Sequence, residues 1–542
     1  MTNLKKEINR VLLVEPPLTR PPDMPAEKVR IGVVPPLGLA YIAAVLEKEG
    51  YEVKILDCIV EGSLKGSPYR NGEIRYGLSD DDIKARIREF SPHIVGVSCL
   101  TSNKYKDAHN VCRLAKEIDQ SIPTVMGGTH PTVLPEATLA DANVDFVVLG
   151  EGEYTARDLL HTLATGDDLA GLDGIGYKDH DEIRIIPKTR YIENLDELPF
   201  PARHLLRMDR YSTTVSPHSG IKRTPFTAMI SSRGCPARCT FCTIRKVWGP
   251  AHRMRSAGNV LAEIEHLVRD YGIKEIHFED DNLTTNKQRA LGIFNGLIQR
   301  KLDITCNSPS GLALFTLDEE LLRKMKECGY YSISIAIESG DADVLKKLMH
   351  KPVNLDKARR IAKITRDLDL KVKGFFILGY PGETKEQMKR TVDFAASLDL
   401  DWAIFFIATP LPGTELEAIC QKNDYLIHKN LDYVRSFFVS NIKTPEFTPE
   451  YVGKLREEAN FNVNFKNNTN LRLGKYDRAI ADFSEVIALY PNLDFAHFYL
   501  GVAYEKKGLP DKAIEEWKKT LAINPDYVEA REKLKEYGKE RK

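Results

Sequence analysis

An alternation in the first third of the chain constrains its fold most. Short runs that are apolar throughout take turns with amphipathic stretches. "INRVLLV" ends at Val14, "YEVKILD" at Asp57, "HIVGVS" at Ser98, "IPTVMGG" at Gly128 and "VDFVVLG" at Gly150. Helical patterns lie between them, as over 37–49, 80–90 and 104–119. Strands without a polar face need cover on both sides, and helices between successive strands impose a parallel sheet. Such an open sheet receives its ligand beyond the carboxyl ends of its strands, where the strand order reverses.

Five such units over 1–170 predict a doubly wound, flavodoxin-like α/β domain. The stretch 61–77 is a polar, glycine-containing insertion and is expected as a surface loop. Prolines and aromatics in "LDELPFPARHLL" mark an irregular connector over 171–223. A second series begins near Thr224, with the runs "FTAMISS", "EIHFED", "ITCNS", "YSISIAIE", "KVKGFFIL" and "DWAIFFIA". Six βα units are too few to close an eight-stranded barrel, so 224–440 is expected as an open, partial (β/α)6 barrel with its site at the strand carboxyl ends. Residues 441–465 read as a linker helix region. In 466–542, Gly474, Ala479 and Pro491 recur as Gly508, Ala513 and Pro525, an offset of 34. That is the period of tetratricopeptide helix pairs. Two repeats fall short of the usual three, so this all-α array is expected to stack on the rest of the protein or on a partner.

The chain has 542 residues, enough for three or four domains, with 42% hydrophobic and 28% charged residues. This excludes wholesale disorder. Lys+Arg and Asp+Glu both number 77, which argues against a nucleic-acid partner. There is no apolar run of membrane-spanning length, and the start "MTNLKKEINRVLLVEPP" lacks an export signal, so a cytoplasmic location is expected. Nine cysteines are too sparse for a disulfide framework. Cys58, Cys99, Cys112, Cys306, Cys328 and Cys420 are read as packing residues.

The other three carry chemistry. In "SSRGCPARCTFCTI", Cys235, Cys239 and Cys242 stand at C-x3-C-x2-C spacing after the first barrel strand. Three thiolates on one loop can hold three irons of a 4Fe-4S cluster and leave the fourth open to a small molecule. The alternative is zinc closed by a histidine such as His252, although zinc modules usually pair two ligand clusters.

The motif, with the aromatic Phe241 before its last cysteine, resembles the radical SAM signature, and the resemblance covers about 224–415. It implies that the open iron chelates S-adenosylmethionine (SAM), whose reductive cleavage yields a 5′-deoxyadenosyl radical. It further implies that Phe241 of the cysteine loop and Glu279, Asp280, Asp281, Glu338, Ser339, Gly379 and Pro410 at strand ends surround SAM. The plain reading of Asp281 and Glu383 is a helix N-cap, and that of the Pro-Gly pairs is a turn. Arg233, Arg238, Arg245, Lys246, Arg253 and Arg255 crowd the loop, either to raise the cluster potential or bind an anion, or as a solvated surface.

In the first domain no G-x-G-x-x-G follows the first strand, which disfavours a dinucleotide. "PPLGLAYIAAVLEKEGYEVKILD", "GGTHPTVLPE", "VVLGEGE" and the connector resemble the cobalamin-binding domains fused before radical SAM barrels. The walls implied for cobalamin are Leu100, Thr101, Ser102 and Asn103, then Gly127, Gly128, Thr129 and His130, then Gly150, Glu151, Gly152 and Glu153. The plain reading of these glycines is strand-ending turns. D-x-H-x-x-G is absent after the first strand, and "DAHNVC" places His109 within a helix. Cobalamin without a protein histidine is expected, with His130 the better-placed candidate ligand. The resemblance implies a cobalamin-dependent radical SAM methyltransferase, acting through methylcobalamin on an unactivated carbon of a small-molecule or lipid-like substrate. An electron donor such as flavodoxin or ferredoxin is implied, and a protein partner at the tetratricopeptide helices is open. The alternatives are an oxidative cyclase resembling the anaerobic magnesium-protoporphyrin ester cyclase, or a non-catalytic scaffold.

Overall fold

A computed structural model describes residues 8–20, 32–180, 182–211, 220–430 and 437–540. The first domain is a seven-stranded sheet built from β1 (Arg10–Glu15), β2 (Glu52–Asp57), β3 (Ile94–Ser98), β4 (Thr124–Gly127), β5 (Phe146–Val148), β6 (Ile175–Asp179) and β7 (Glu182–Ile186). Its order is β7-β6-β5-β4-β3-β1-β2. The first five strands are parallel, and β6 and β7 extend the edge antiparallel. The sheet therefore runs past residue 170, where the sequence reading starts the connector. Val11, Leu12, Leu13 and Val14 of β1 are all buried, in two cores on opposite faces of the sheet. That two-sided burial is why the strand carries no polar alternation.

The insertion at 61–77 is a correction. It is not a loop: Ser63–Pro68 and Ile74–Gly77 are strands that pair antiparallel, and Ile74–Gly77 also pairs with Leu18–Arg20. Arg75, only 3% exposed, lies between Asp80 and Asp107 and anchors this small sheet to two helices.

The second domain has all six expected strands, in parallel. They are β8 (Phe226–Met229), β9 (Glu275–Phe278), β10 (Thr305–Asn307), β11 (Ser332–Glu338), β12 (Lys371–Leu378) and β13 (Trp402–Ile407). A parallel bridge from Cys306 to Tyr330 links the two halves. The last strand would offer a bare edge. Helix Pro449–Phe461 and the turn after it cover that edge. The Asn464 amide accepts from Ala403 N (2.8 Å) and donates to Ala403 O (2.7 Å), standing in for a neighbouring strand. Arg456 Nε donates to Phe405 O at 2.9 Å.

The C-terminal helices Tyr476–Leu489, Asp494–Lys506, Pro510–Ile523 and Val528–Glu540 stack in series. The first closes the base of the barrel. Lys371, at the start of β12, meets Asp482 at 2.7 Å, and Asn470 donates to both Asp401 (2.9 Å) and Asp482 (3.0 Å). Trp402 packs edge-on against Phe465. The array thus stacks on the barrel, away from the strand carboxyl ends.

Candidate active site

β8 runs into Ser231 and Ser232, and a carboxylate after β9 fixes both. Asp280 accepts from Ser231 N (3.2 Å), Ser231 Oγ (2.7 Å) and Ser232 Oγ. Asp281 accepts from Gly234 N at 2.9 Å. Gly234 has φ +84°, and a Cβ there would lie 2.6 Å from Ala251 O, so the loop requires glycine. On the far side of the loop, Thr240 N donates to Met349 O (3.1 Å) and Thr240 Oγ1 to Leu348 O (2.8 Å), with Tyr380 OH on the same hydroxyl.

Between these anchors stand Cys235 and Cys239, both half-buried, and Cys242, exposed. Desolvation pushes the Cys239 thiol up to about 12, and Lys351 and the neighbouring thiols act on it. A single zinc would need the sulfurs and a fourth donor gathered on one point. Among the described residues, no three His, Cys, Asp or Glu side chains are so gathered. A cubane takes one cysteine per iron, so a donor set of three thiols on one loop fits three of its irons.

Lys351 is the residue that sequence reasoning missed. Its Nζ lies 3.0 Å from Glu338 Oε1 and 6.0 Å from the Phe241 ring centroid. No local motif marks it, because the π-helical turn Val344–Leu348 carries the chain back under the cysteine loop. Glu338 itself sits at a register break in β11, with φ +71°. A non-glycine residue there costs about 1 kcal/mol or more. Glu279 accepts from Ser310 Oγ at 2.6 Å, and the Asp281 carboxyl is pushed up to about 6 by burial and by Asp280.

Several expected SAM contacts have other work. Ser339 is fully buried, with its Oγ against Thr391 Oγ1 (3.0 Å) and accepting from Asp341 N (3.1 Å). Gly379 has φ +80°, and a Cβ there would press on Val452 at 2.9 Å, so its freedom serves helix packing. Pro410 is buried just before Gly413, where a Cβ would touch Val133 of the first domain at 3.0 Å.

The edge of the first sheet divides in the same way. Leu100 is 63% exposed, Thr101 and Asn103 are exposed, and Gly127 and Thr129 are half-buried. Gly128, however, has φ +112° and its missing Cβ makes room for Cys99 O (2.6 Å), a neighbour in the sheet. His130 is 2% exposed, bonded to Ser102 Oγ at 3.0 Å and stacked on Tyr105. Burial pushes it down to about 4. It is a core residue and does not project from the edge, and Ser102 is its buried partner. His109 pairs with Asp141.

Glu151 and Glu153 bind the barrel rather than facing an open edge. Arg233 donates to Glu151 at 2.8 Å and also to Glu153, and Arg253 donates to Glu151 at 2.7 Å, all buried. Arg255 donates to Glu263 and to Tyr41 OH (3.2 Å), and Arg203 of the connector donates to the other Glu263 oxygen, all buried. Of the six cations near the cysteines, these three arginines are domain fasteners, and Arg238 and Lys246 are exposed. Gly150 lies against Val247 O, 3.0 Å from where its Cβ would be, and Gly152 precedes helix Glu153–Thr165. The carboxyl ends of both sheets therefore meet across one interface, with the cysteine loop at its border.

Residues 29–160 match the B12 binding domain model, 229–395 the Radical SAM superfamily, 469–508 a TPR repeat and 494–527 a tetratricopeptide repeat. The cytidylyl-2-hydroxyethylphosphonate methyltransferase of Streptomyces wedmorensis is 38% identical, over 72% of this chain and 78% of its own. An uncharacterized methyltransferase of Pyrococcus horikoshii is 36% identical, over 84% and 92%. The anaerobic magnesium-protoporphyrin IX monomethyl ester cyclase of Rubrivivax gelatinosus is 27% identical, over 70% and 65%. The fold matches OxsB, a cobalamin-dependent SAM radical enzyme solved with aqua-cobalamin and SAM, at TM-score 0.67 and 16% identity, over 98% of this chain and 84% of that one. With two methyltransferases this similar over most of their length, and both domain models matched in order, the chain belongs to the cobalamin-dependent radical SAM methyltransferases, whose cofactors are cobalamin, a 4Fe-4S cluster and SAM.

Proposed function

We propose that this enzyme methylates an unactivated carbon of a small-molecule or lipid-like substrate held between its two domains. The observation that carries the reading is the meeting of both carboxyl edges at the three-cysteine loop. When bound, the cluster and SAM supply the radical that activates the carbon, and cobalamin supplies the methyl group. Cys235, Cys239 and Cys242 would hold the cluster, one iron each. Asp280 and Asp281 set the loop, Lys351 holds the Glu338 carboxylate in place, and Glu338, Glu279 and Phe241 face SAM. Leu100, Thr101, Asn103, Gly127 and Thr129 form the edge offered to cobalamin. The burial of His130 supports binding without a protein histidine.

A flavodoxin- or ferredoxin-like donor would supply the electron, approaching the side of the loop on which Cys242 is exposed. All nine cysteines are free, as a reducing, cytoplasmic setting requires. No helix among the described residues is long and apolar enough to cross a membrane. The outer tetratricopeptide helices, remote from the barrel, are offered to a protein partner.

The test is anaerobic reconstitution with iron, sulfide and hydroxocobalamin, followed by reduction in the presence of SAM. A methyltransferase yields S-adenosylhomocysteine as well as 5′-deoxyadenosine. Formation of 5′-deoxyadenosine alone would place the chain with the cyclases, and neither product would leave it a scaffold.

A further inference from the structure

We infer that the substrate carries a flat, apolar ring system, received by a wall of phenylalanines on the inner face of the last two barrel strands. The inference rests on the reading that the reaction occurs at the barrel mouth. Side chains alternate along β12 and β13. Val372, Phe376, Leu378, Phe405 and Ile407 are buried in the core shared with the surrounding helices. Phe375 and Phe406 occupy the alternate positions, which face the lumen, and are only half-buried.

Phe375 lies by the mouth. A Cβ on Gly311 would sit 3.0 Å from its ring, and the adjacent Ser310 donates to Glu279. Phe406 meets Phe375 edge-on, with centroids 5.8 Å apart, and lies nearly parallel to Phe438 at 5.9 Å. Phe437 joins them edge-on at 6.5 Å, and its carbonyl accepts from Ile407 N at 2.8 Å, which fixes the pair beside the last strand. The Arg456 guanidinium lies 4.3 Å from the Phe438 centroid and steadies that ring. Phe437 and Phe438 nevertheless remain 46% and 45% exposed.

Contiguous rings left open in this way mark a binding surface. The first tetratricopeptide helix closes the base of the lumen, so a ligand reaches this wall from the mouth. Ring faces and edges gain from a flat π-partner in addition to simple burial, whereas a flexible chain gains burial alone.

Saturation-transfer NMR on the anaerobically reconstituted full chain tests this, with indole and quinoline as flat probes and farnesol as a flexible one. Saturable binding of the flat probes, tighter than farnesol, is expected. Phe438→Leu, at a half-exposed site, should weaken the flat probes about five-fold and leave farnesol unchanged. Unchanged iron and cobalt content in that variant will show that the fold is intact. Three results would overturn the inference: no saturable ring binding, farnesol binding as tightly as the rings, or equal ring affinity in the variant. Binding requires no SAM cleavage, so an enzyme that forms both S-adenosylhomocysteine and 5′-deoxyadenosine but ignores flat rings sinks this inference and leaves the proposed activity standing.

Discussion

Glu338 is held where a residue with a side chain does not belong, and Lys351 is the reason it stays. The left-handed backbone at φ +71° lets the carboxylate reach an ammonium 3.0 Å away beside the cysteine loop. Strain of this kind persists only where surrounding contacts over-determine it. Lys351→Met keeps the stem and removes the charge. SAM cleavage should slow about ten-fold or more, since hydrogen bonds to charged groups are worth about 1.5–3 kcal/mol. The midpoint potential of the bound cluster should fall as well, and Lys351→Arg should restore both. A normal potential in the methionine variant would reduce Lys351 to a packing role. Glu383 offers a second residue-scale test. One of its oxygens accepts from Gly379 N and Tyr380 N, the other has no partner, and burial pushes the carboxyl up to about 8. A raised carboxyl stabilises the fold fully below its unfolded value, and that contribution is lost as pH rises through about 8. Glu383→Gln lacks this loss. Its melting temperature relative to the natural chain should climb from pH 5 to 8 and then level off. A pH-independent difference would mean that Glu383 is ionised throughout.

Among the elements, β13 shows how an open barrel survives. Its exposed edge is met by an asparagine amide and an arginine rather than by another strand. Asn464→Ala leaves a buried N–H and C=O of Ala403 without partners. A loss of about 2 kcal/mol is expected, read by denaturant unfolding. A loss below a few tenths of a kcal/mol would show that water replaces the amide. This element also shows what the sequence could and could not reveal. The six barrel strands and the five parallel strands were legible because each is a short apolar run bounded by turns. Strands Ser63–Pro68 and Ile74–Gly77 were not, since the first lies on the surface and "SLKGSP" carries no alternation, while the second is four residues long and buries an arginine. β6 and β7 were absorbed into the connector for a similar reason, β7 being mostly exposed. In the site, the cysteines announced themselves by spacing. Glu151 and Glu153 read as cobalamin walls, and Arg233 and Arg253 as cluster-tuning, anion-binding or solvated charges, because sequence does not disclose that opposite signs on different domains meet.

At the scale of the whole molecule, buried ion pairs join the two domains edge to edge, and the helical array seals the barrel from below. Ion pairs out of water are poor sources of net stability but strong fixers of geometry, because a mispaired buried charge is costly. Two cofactors that act on one carbon need such a fixed geometry. Among the described residues, Cys242 of the cysteine loop, the sheet edge at Leu100, Thr101 and Asn103, and Phe437 and Phe438 remain open. The central claim is that the cysteine loop carries a cluster with a free iron. It is tested most directly by measuring iron, sulfide and 5′-deoxyadenosine in anaerobically reconstituted protein, for the natural chain and for Cys239→Ala. The account predicts about four irons and four sulfides per chain and reductive cleavage of SAM, with cleavage abolished in the variant. One zinc per chain with no iron, or undiminished 5′-deoxyadenosine from Cys239→Ala, would contradict it.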